Sequence, residues 1–222
     1  MTEITFRSDM GVEEIQHWGS DEMVARSARV STGRDQIDGL KIEGLIGYLV
    51  REGHWSTLEH SGLTARIEAP LFILGQFVRH RHISVNVQSG RYSEFEPVFY
   101  VPNGRSILNS GTSARPLFQE LDAALEKSAS GNIADSARDS FHVYDVLINA
   151  GVANEVARNV LPQSTYTSWY ASANLHAWLD YLAKRDGSHG HPQFEHVELA
   201  TKIGAILHER FPITMKAWEE SR

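Results

Sequence analysis

The densest chemistry in the chain lies in fourteen consecutive residues, Arg79-His80-Arg81-His82-Ile83-Ser84-Val85-Asn86-Val87-Gln88-Ser89-Gly90-Arg91-Tyr92. The run is rich in hydrogen-bond donors and holds no acid. Of the 21 basic residues 16 are arginine, and Arg79, Arg81 and Arg91 fall within thirteen positions that also contain His80 and His82. A guanidinium is a rigid fork of donors that matches phosphate and carboxylate oxygens, so this local excess points to an anionic small ligand. The chain as a whole carries a formal charge of -7. A nucleic-acid or anionic-membrane surface needs a broad positive face, so neither is expected as a partner.

Other residues narrow the chemistry by what they cannot do. There are no cysteines, which excludes disulfides, thiolate metal ligands and any mechanism built on a cysteine nucleophile. Ser89 is a candidate nucleophile by type, but no Asp-His pair is spaced to activate it, and a hydrogen-bonding role is expected instead. His189, His191 and His196 with Glu195 are metal-ligand types, yet H-x-H-x4-H matches no strong zinc spacing, so no metal is expected. A zinc hydrolase built on that cluster remains the alternative that metal analysis would expose.

Positioning these residues falls to elements legible as patterns. Ser20-Asp21-Glu22 ahead of Met23, Val24, Ala28 and Val30 reads as a capped helix. A second helix is predicted over about 36–52, with Leu40, Leu45, Tyr48 and Leu49 as its apolar face and Gly53 as a left-handed cap. Residues 62–69 alternate as a half-buried strand that Pro70 ends. Pro70 then opens a helix, LFILGQFVRHR, carrying Gln76, Arg79 and His80 towards its C-terminal end. Residues 82–96 lose helical periodicity and read as loop, followed by a short strand at 98–101.

Two helices are predicted at about 114–129 and 135–150, the second closed by Gly151, then a shorter one at 153–160 presenting Arg158. A strand is expected within 163–172, and Asn174 caps a helix running to about Arg185. The last helix spans about 193–210 and stops at Phe211-Pro212. Trp169, Tyr170, Trp178 and Tyr181 are expected in the core or at a subunit interface, and Trp55 is the candidate for ring stacking. The order lacks the alternation of a doubly wound sheet, which gives an α+β fold in one domain covering 1–222. No apolar stretch has signal-peptide or membrane-span character, so a soluble, cytoplasmic protein is expected.

The spacing R-H-R-x-x-S-x-N-x-x-S-x-R-Y, matched here at every specified position, resembles the signature of flavin-dependent thymidylate synthases. Ala28-Arg29-Val30-Ser31, the block His54 through His60, Ala157 through Pro162 and Asn174 through Arg185 resemble the family's other shared blocks, in the family's order. The resemblance implies that Ser56, Arg79, His80, Arg81, Asn174 and His176 hold FAD. Asp180 stands where Asn is common, as an acceptor-only FAD contact. It places His54 on the folate side of the flavin and His189 beside FAD. Gln76, Arg79, Gln88, Ser89, Gly90, Arg91, Arg158 and Arg185 are implied around dUMP, with Ser89 and Arg91 at the phosphate and Arg185 at the pyrimidine.

The resemblance further implies methylenetetrahydrofolate and NADPH as co-substrates, Arg185 as the catalytic residue, and an antiparallel sheet packed with helices. It also implies a compact homotetramer with shared active sites. Val87 stands where Glu or Gln is usual, so either Gln88 compensates or the backbone makes that contact. The alternative from another class is a non-catalytic nucleotide-binding protein that keeps the arginine pocket, which flavin content would separate. An RNA-binding module is disfavoured by the acidic balance.

Overall fold

Ser20 opens the first helix as its type predicts: its side-chain oxygen accepts from the Met23 N–H at 3.3 Å, and Asp21 and Glu22 sit at the positive end of the dipole. In this computed structural model, which describes residues 3–33, 36, 41–103, 108–112, 116–120 and 122–222, the elements follow in chain order. They begin with β1 (Thr5–Arg7), β2 (Gly11–Trp18), α1 (Asp21–Val30), α2 (Ile42–Arg51), a 3₁₀ turn Trp55–His60, β3 (Gly62–Pro70), α3 (Leu71–Phe77), β4 (Ser84–Val87) and β5 (Val98–Tyr100). They continue with β6 (Leu108–Asn109), β7 (Phe118–Gln119), α4 (Ala123–Asn149), α5 (Asn154–Ala157), a 3₁₀ turn Arg158–Val160, β8 (Tyr166–Asn174), α6 (Leu175–Arg185), α7 (Phe194–Arg210) and α8 (Pro212–Glu220). One sheet has the order β2-β3-β8-β4, β1 pairs in parallel with β5, and β6 pairs antiparallel with β7. Helices with an antiparallel sheet agree with the expected α+β class; the parallel β1–β5 pair was not foreseen.

By their internal contacts the residues fall into two compact units. The first comprises Met1–Met10, Glu68–Arg79 and Val87–Trp169. Its core is Phe99, Ala137, Phe141, Tyr144 and Ala157, with Phe6, Leu147 and Ile148 packed against them. The second comprises Gly11–Ile67, His80–Asn86 and Tyr170–Arg222. There the helices α1, α2, α6, α7 and α8 bury Val24, Ile46, Leu49, Trp178, Tyr181, Ile203 and Trp218, and Trp178 Nε1 donates to the Leu63 carbonyl at 3.0 Å. Among the described residues no helix is long and apolar enough to cross a membrane.

Several expectations need correction. The second helix starts at Ile42; Leu40 lies outside the described residues, and the buried stripe is Ile46, Leu49 and Val50, leaving Tyr48 half exposed against His54. Residues at i, i+3 and i+4 share a face, which selects 46, 49 and 50. The strand at 62–70 is not half-buried but buried almost throughout, because β3 is an inner strand of its sheet. Pro70 ends that strand and precedes the helix rather than filling its first position.

The helix α3 stops at Phe77, so Arg79 and His80 lie in a turn, and the supposed loop beyond them contains β4. Of the helix expected at 114–129, residues 114, 115 and 121 lie outside the described residues and 118–119 form β7. Its remainder is continuous with the helix expected at 135–150 as α4, with Asp122 accepting from the Ala124 and Leu125 N–H groups at 3.0 Å. Gly131 costs the helix about 1 kcal/mol, which the buried series Ala134, Ala137, Phe141 and Tyr144 outweighs. Gly53 and Gly151 adopt the left-handed conformation expected of them, at φ of 71° and 81°.

Pro212 is a start as well as a stop. It occupies the first turn of α8, and the buried Asp21 carboxylate accepts from the Ile213 and Thr214 N–H groups at 2.9 Å and from the Thr214 hydroxyl at 2.6 Å.

Candidate active site

In the first unit, α3 ends in two turns of chain that project Arg79 into solvent, its N–H returned to the Gln76 carbonyl at 3.2 Å. Gln76 itself is half-buried on α3. Beyond β4 the chain reverses at Ser89, whose carbonyl accepts from the Tyr92 and Ser93 N–H groups and whose hydroxyl accepts from the Arg91 N–H at 3.3 Å. Gly90 is required here for packing: an added Cβ would sit 2.2 Å from the Phe95 ring. The turn holds Arg91 out, and its Nε donates to Glu155 Oε2 at 2.8 Å. Glu155 lies on α5, and Arg158 follows three residues later, on the same face of a helical turn. Arg91 and Arg158 are thereby gathered on one surface, with Ser89 two positions from Arg91. Arg79 and Arg158 are exposed and have no acidic partner among the described residues.

The second unit holds the other set. Arg185, the last residue of α6, donates through Nε to His80 Nε2 at 3.1 Å. Among the described residues its terminal nitrogens donate to nothing else. Burial first, then the positive charges of Arg185 and Lys184, push the His80 imidazole down to about 4, with Asp180 acting against them. A neutral ring whose Nε2 accepts must carry its proton on Nδ1. Tyr181 meets the same ring edge-on at 4.8 Å, and burial pushes its phenol up, Arg185 opposing.

At the other end of α6, Asn174 caps the helix by accepting from the Ala177 N–H at 2.9 Å. One residue into the helix, His176 stacks on Trp55 at 5.3 Å and 5°, with Glu59 at 3.5 Å from its Nδ1. Ser56 is exposed on the adjoining 3₁₀ turn, and His54 stacks on Tyr48 at 5.9 Å. Arg81 is exposed, with no acidic partner among the described residues. An aromatic platform, a half-exposed capping amide and an unpaired guanidinium within one unit fit a planar, anionic cofactor such as a flavin dinucleotide.

Three further expected residues are placed as follows. Gln88 continues the β4 ladder, its N–H on the Ser168 carbonyl at 2.9 Å. Strand alternation turns its exposed side chain to the face opposite Val87. Asp180 is engaged by Lys184 at 2.6 Å, an i,i+4 pair. His189 is exposed, its Nδ1 3.2 Å from both Ser188 Oγ and Arg222. His196 is buried beside Tyr181, and among the described residues no three acids or histidines are placed to hold a metal. Of the four aromatics, Trp169, Trp178 and Tyr181 are core, while Tyr170 is about half exposed.

Sequence reasoning missed Glu155, Glu59 and Arg222. Only Glu155 left a signal, its spacing from Arg158.

The comparisons with known proteins cover nearly all of this architecture. Residues 14–213 match the family described as thymidylate synthase complementing protein. The flavin-dependent thymidylate synthase of Streptomyces avermitilis is 37% identical over 96% of this chain and 92% of its own. That of Tropheryma whipplei is 34% identical, with 97% and 94% covered. Among solved structures, the UMP/dUMP methylase PolB from Streptomyces cacaoi bound with 5-Br dUMP superposes with a TM-score of 0.89 at 33% identity, over 98% of this chain and 97% of that one. With the signature run, the α6 cap and the Arg185–His80 pair in place, the chain belongs to the flavin-dependent thymidylate synthase family.

Proposed function

We propose that this enzyme methylates C5 of dUMP to give dTMP, with residues 1–222 as one flavin-dependent thymidylate synthase domain. The observation that carries the reading is Arg185: Nε is anchored on a neutral His80 while its terminal nitrogens are left for a ligand. A one-carbon unit donated by methylenetetrahydrofolate needs a further hydride to become a methyl group. FAD reduced by NADPH supplies that hydride when bound. With no cysteine in the chain, uracil cannot be activated by a thiolate, so activation falls to electrostatics and placement.

Arg185 stabilises negative charge developing on the ring at N3, and the His80 acceptor holds its guanidinium in plane. Arg91, Arg158 and Ser89 take the nucleotide phosphate, with Arg91 exchanging Glu155 for a stronger anionic partner. Gln76, Arg79, Gln88 and Gly90 border the nucleotide, the last two through backbone. Ser56, Arg79, His80, Arg81, Asn174, His176 and Asp180 hold FAD, with His54 on its folate side and His189 beside it. The working form is a cytoplasmic homotetramer with shared active sites.

The structural neighbour favours a second substrate, since PolB is described as acting on both UMP and dUMP and has also been solved with 5-Br UMP, at a TM-score of 0.89. Both substrates are tested by incubating the purified chain with FAD, NADPH, methylenetetrahydrofolate and either nucleotide. Formation of dTMP that requires every component supports the reading. Flavin retention with no methylated product from either nucleotide would overturn it in favour of a binding protein.

A further inference from the structure

Arg185 is the last residue of α6, where helices fray unless the following chain is pinned. The pin is visible. Asp186, the residue after it, donates its N–H to the Leu182 carbonyl at 2.9 Å and folds its carboxylate over the next turn, Oδ1 accepting from Ser188 N at 2.9 Å and Ser188 Oγ at 2.6 Å. Arg222 then closes on the same turn. Its guanidinium bonds both Asp186 oxygens, the Ser188 hydroxyl and His189 Nδ1, while lying over the Trp218 ring at 4.2 Å.

The ion pair is mostly withdrawn from solvent, with side chains 18% and 25% exposed. Burial acts to raise the Asp186 carboxyl, but hydrogen bonds from Arg222 and Ser188 outweigh it and hold the group at about 2. Trp218 is buried on α8, the helix that Asp21 caps. Arg222, two residues past the end of α8, is thus held against that helix through Trp218 and grips the segment next to Arg185.

We infer that Arg222 is a positioning residue: through Asp186 it fixes the end of α6 so that Arg185 Nε stays on His80 and its terminal nitrogens stay available to a ligand. The inference rests on the reading of Arg185 and His80 as site residues. Lysine cannot replace Arg222, because a point charge cannot lie flat on the indole and reach Asp186, Ser188 and His189 together. The charged groups that set the His80 environment are Arg185, Lys184 and Asp180, all on α6, and the Tyr181 ring closes that side.

The test is the titration of the His80 imidazole, followed by NMR in the full chain, together with thermal stability and the separate kcat and KM for dUMP. In Arg222→Ala, Arg185 leaves His80, so the His80 midpoint rises towards the ordinary histidine value while burial still holds it below. Turnover falls by about tenfold or more, as a misplaced catalytic group demands, and more than KM changes. Arg222→Lys behaves like alanine, and Arg222→Ala combined with Asp186→Asn is no worse than either alone. Should alanine at 222 prevent folding, Asp186→Asn carries the same readings. An unchanged His80 midpoint in a folded variant, or full rescue by lysine, overturns the inference. A shifted midpoint with unchanged turnover supports the inference and instead removes Arg185 from catalysis.

Discussion

Replacing Arg185 by lysine separates a charge from a shape. In the structure Nε is spent on His80 at 3.1 Å and the terminal nitrogens remain. Lysine offers a single ammonium at the end of its stem, so it can meet His80 or the proposed pyrimidine partner but cannot do both. The positive charge in the last turn of α6 survives, as does Lys184, so the dipole interaction is kept and stability should stay within about 0.5 kcal/mol. The loss falls on the reaction. Removing one preorganised donor from a site of developing charge costs about a hundredfold in kcat, roughly 2.7 kcal/mol. The assay is dTMP formation at saturating dUMP, with melting temperature and bound flavin measured on the same sample. Near-normal turnover in Arg185→Lys would show that position 185 needs only charge, and the planar-donor argument would fail.

Arg91→Ala should raise KM for dUMP far more than KM for NADPH, because its proposed partner is the nucleotide phosphate; equal changes would refute the assignment. Asp21→Ala strips three hydrogen bonds from the buried start of α8 and should cost about 2–4 kcal/mol in urea unfolding, with a cost below 1 kcal/mol contradicting the cap. His80 is held at about 4, below its unfolded value, so the native state binds its proton later than the unfolded one. Its stability contribution is present above pH about 6.5 and is lost as pH falls towards 4. His80→Gln should therefore lose less stability than the parent chain over that window, and parallel pH curves would contradict a depressed His80.

What the sequence could disclose depended on how local the cause was. The caps at Ser20 and Asn174 and the left-handed Gly53 and Gly151 are decisions made within a few residues, and they stand where the pattern put them. β2 escaped notice because an edge strand reading GVEEIQHW buries little and need not alternate. The break expected between 129 and 135 did not form, because the apolar stripe of Ala134, Ala137, Phe141 and Tyr144 outweighed the local propensity of Gly131. Pro212 was read as a terminator, although a proline in the first turn is compatible with a helix whose N–H groups are met by a carboxylate 192 residues away. The site followed the same rule. Residues in the signature run were legible by type and spacing, whereas Glu155 at Arg91, Glu59 at His176 and Arg222 at Asp186 are met only through the fold.

The central claim is that the chain methylates dUMP with hydride from its bound flavin and without a covalent enzyme nucleophile. A single turnover tests it most directly. The purified, flavin-loaded chain is reduced, freed of NADPH, and mixed anaerobically with dUMP and methylenetetrahydrofolate while flavin absorbance and dTMP are followed together. The account predicts one dTMP formed per flavin reoxidised, with no nucleotide attached to the denatured chain at any time. Appearance of dTMP without flavin reoxidation, or a stable adduct of dUMP with a side chain such as Ser89, would contradict it.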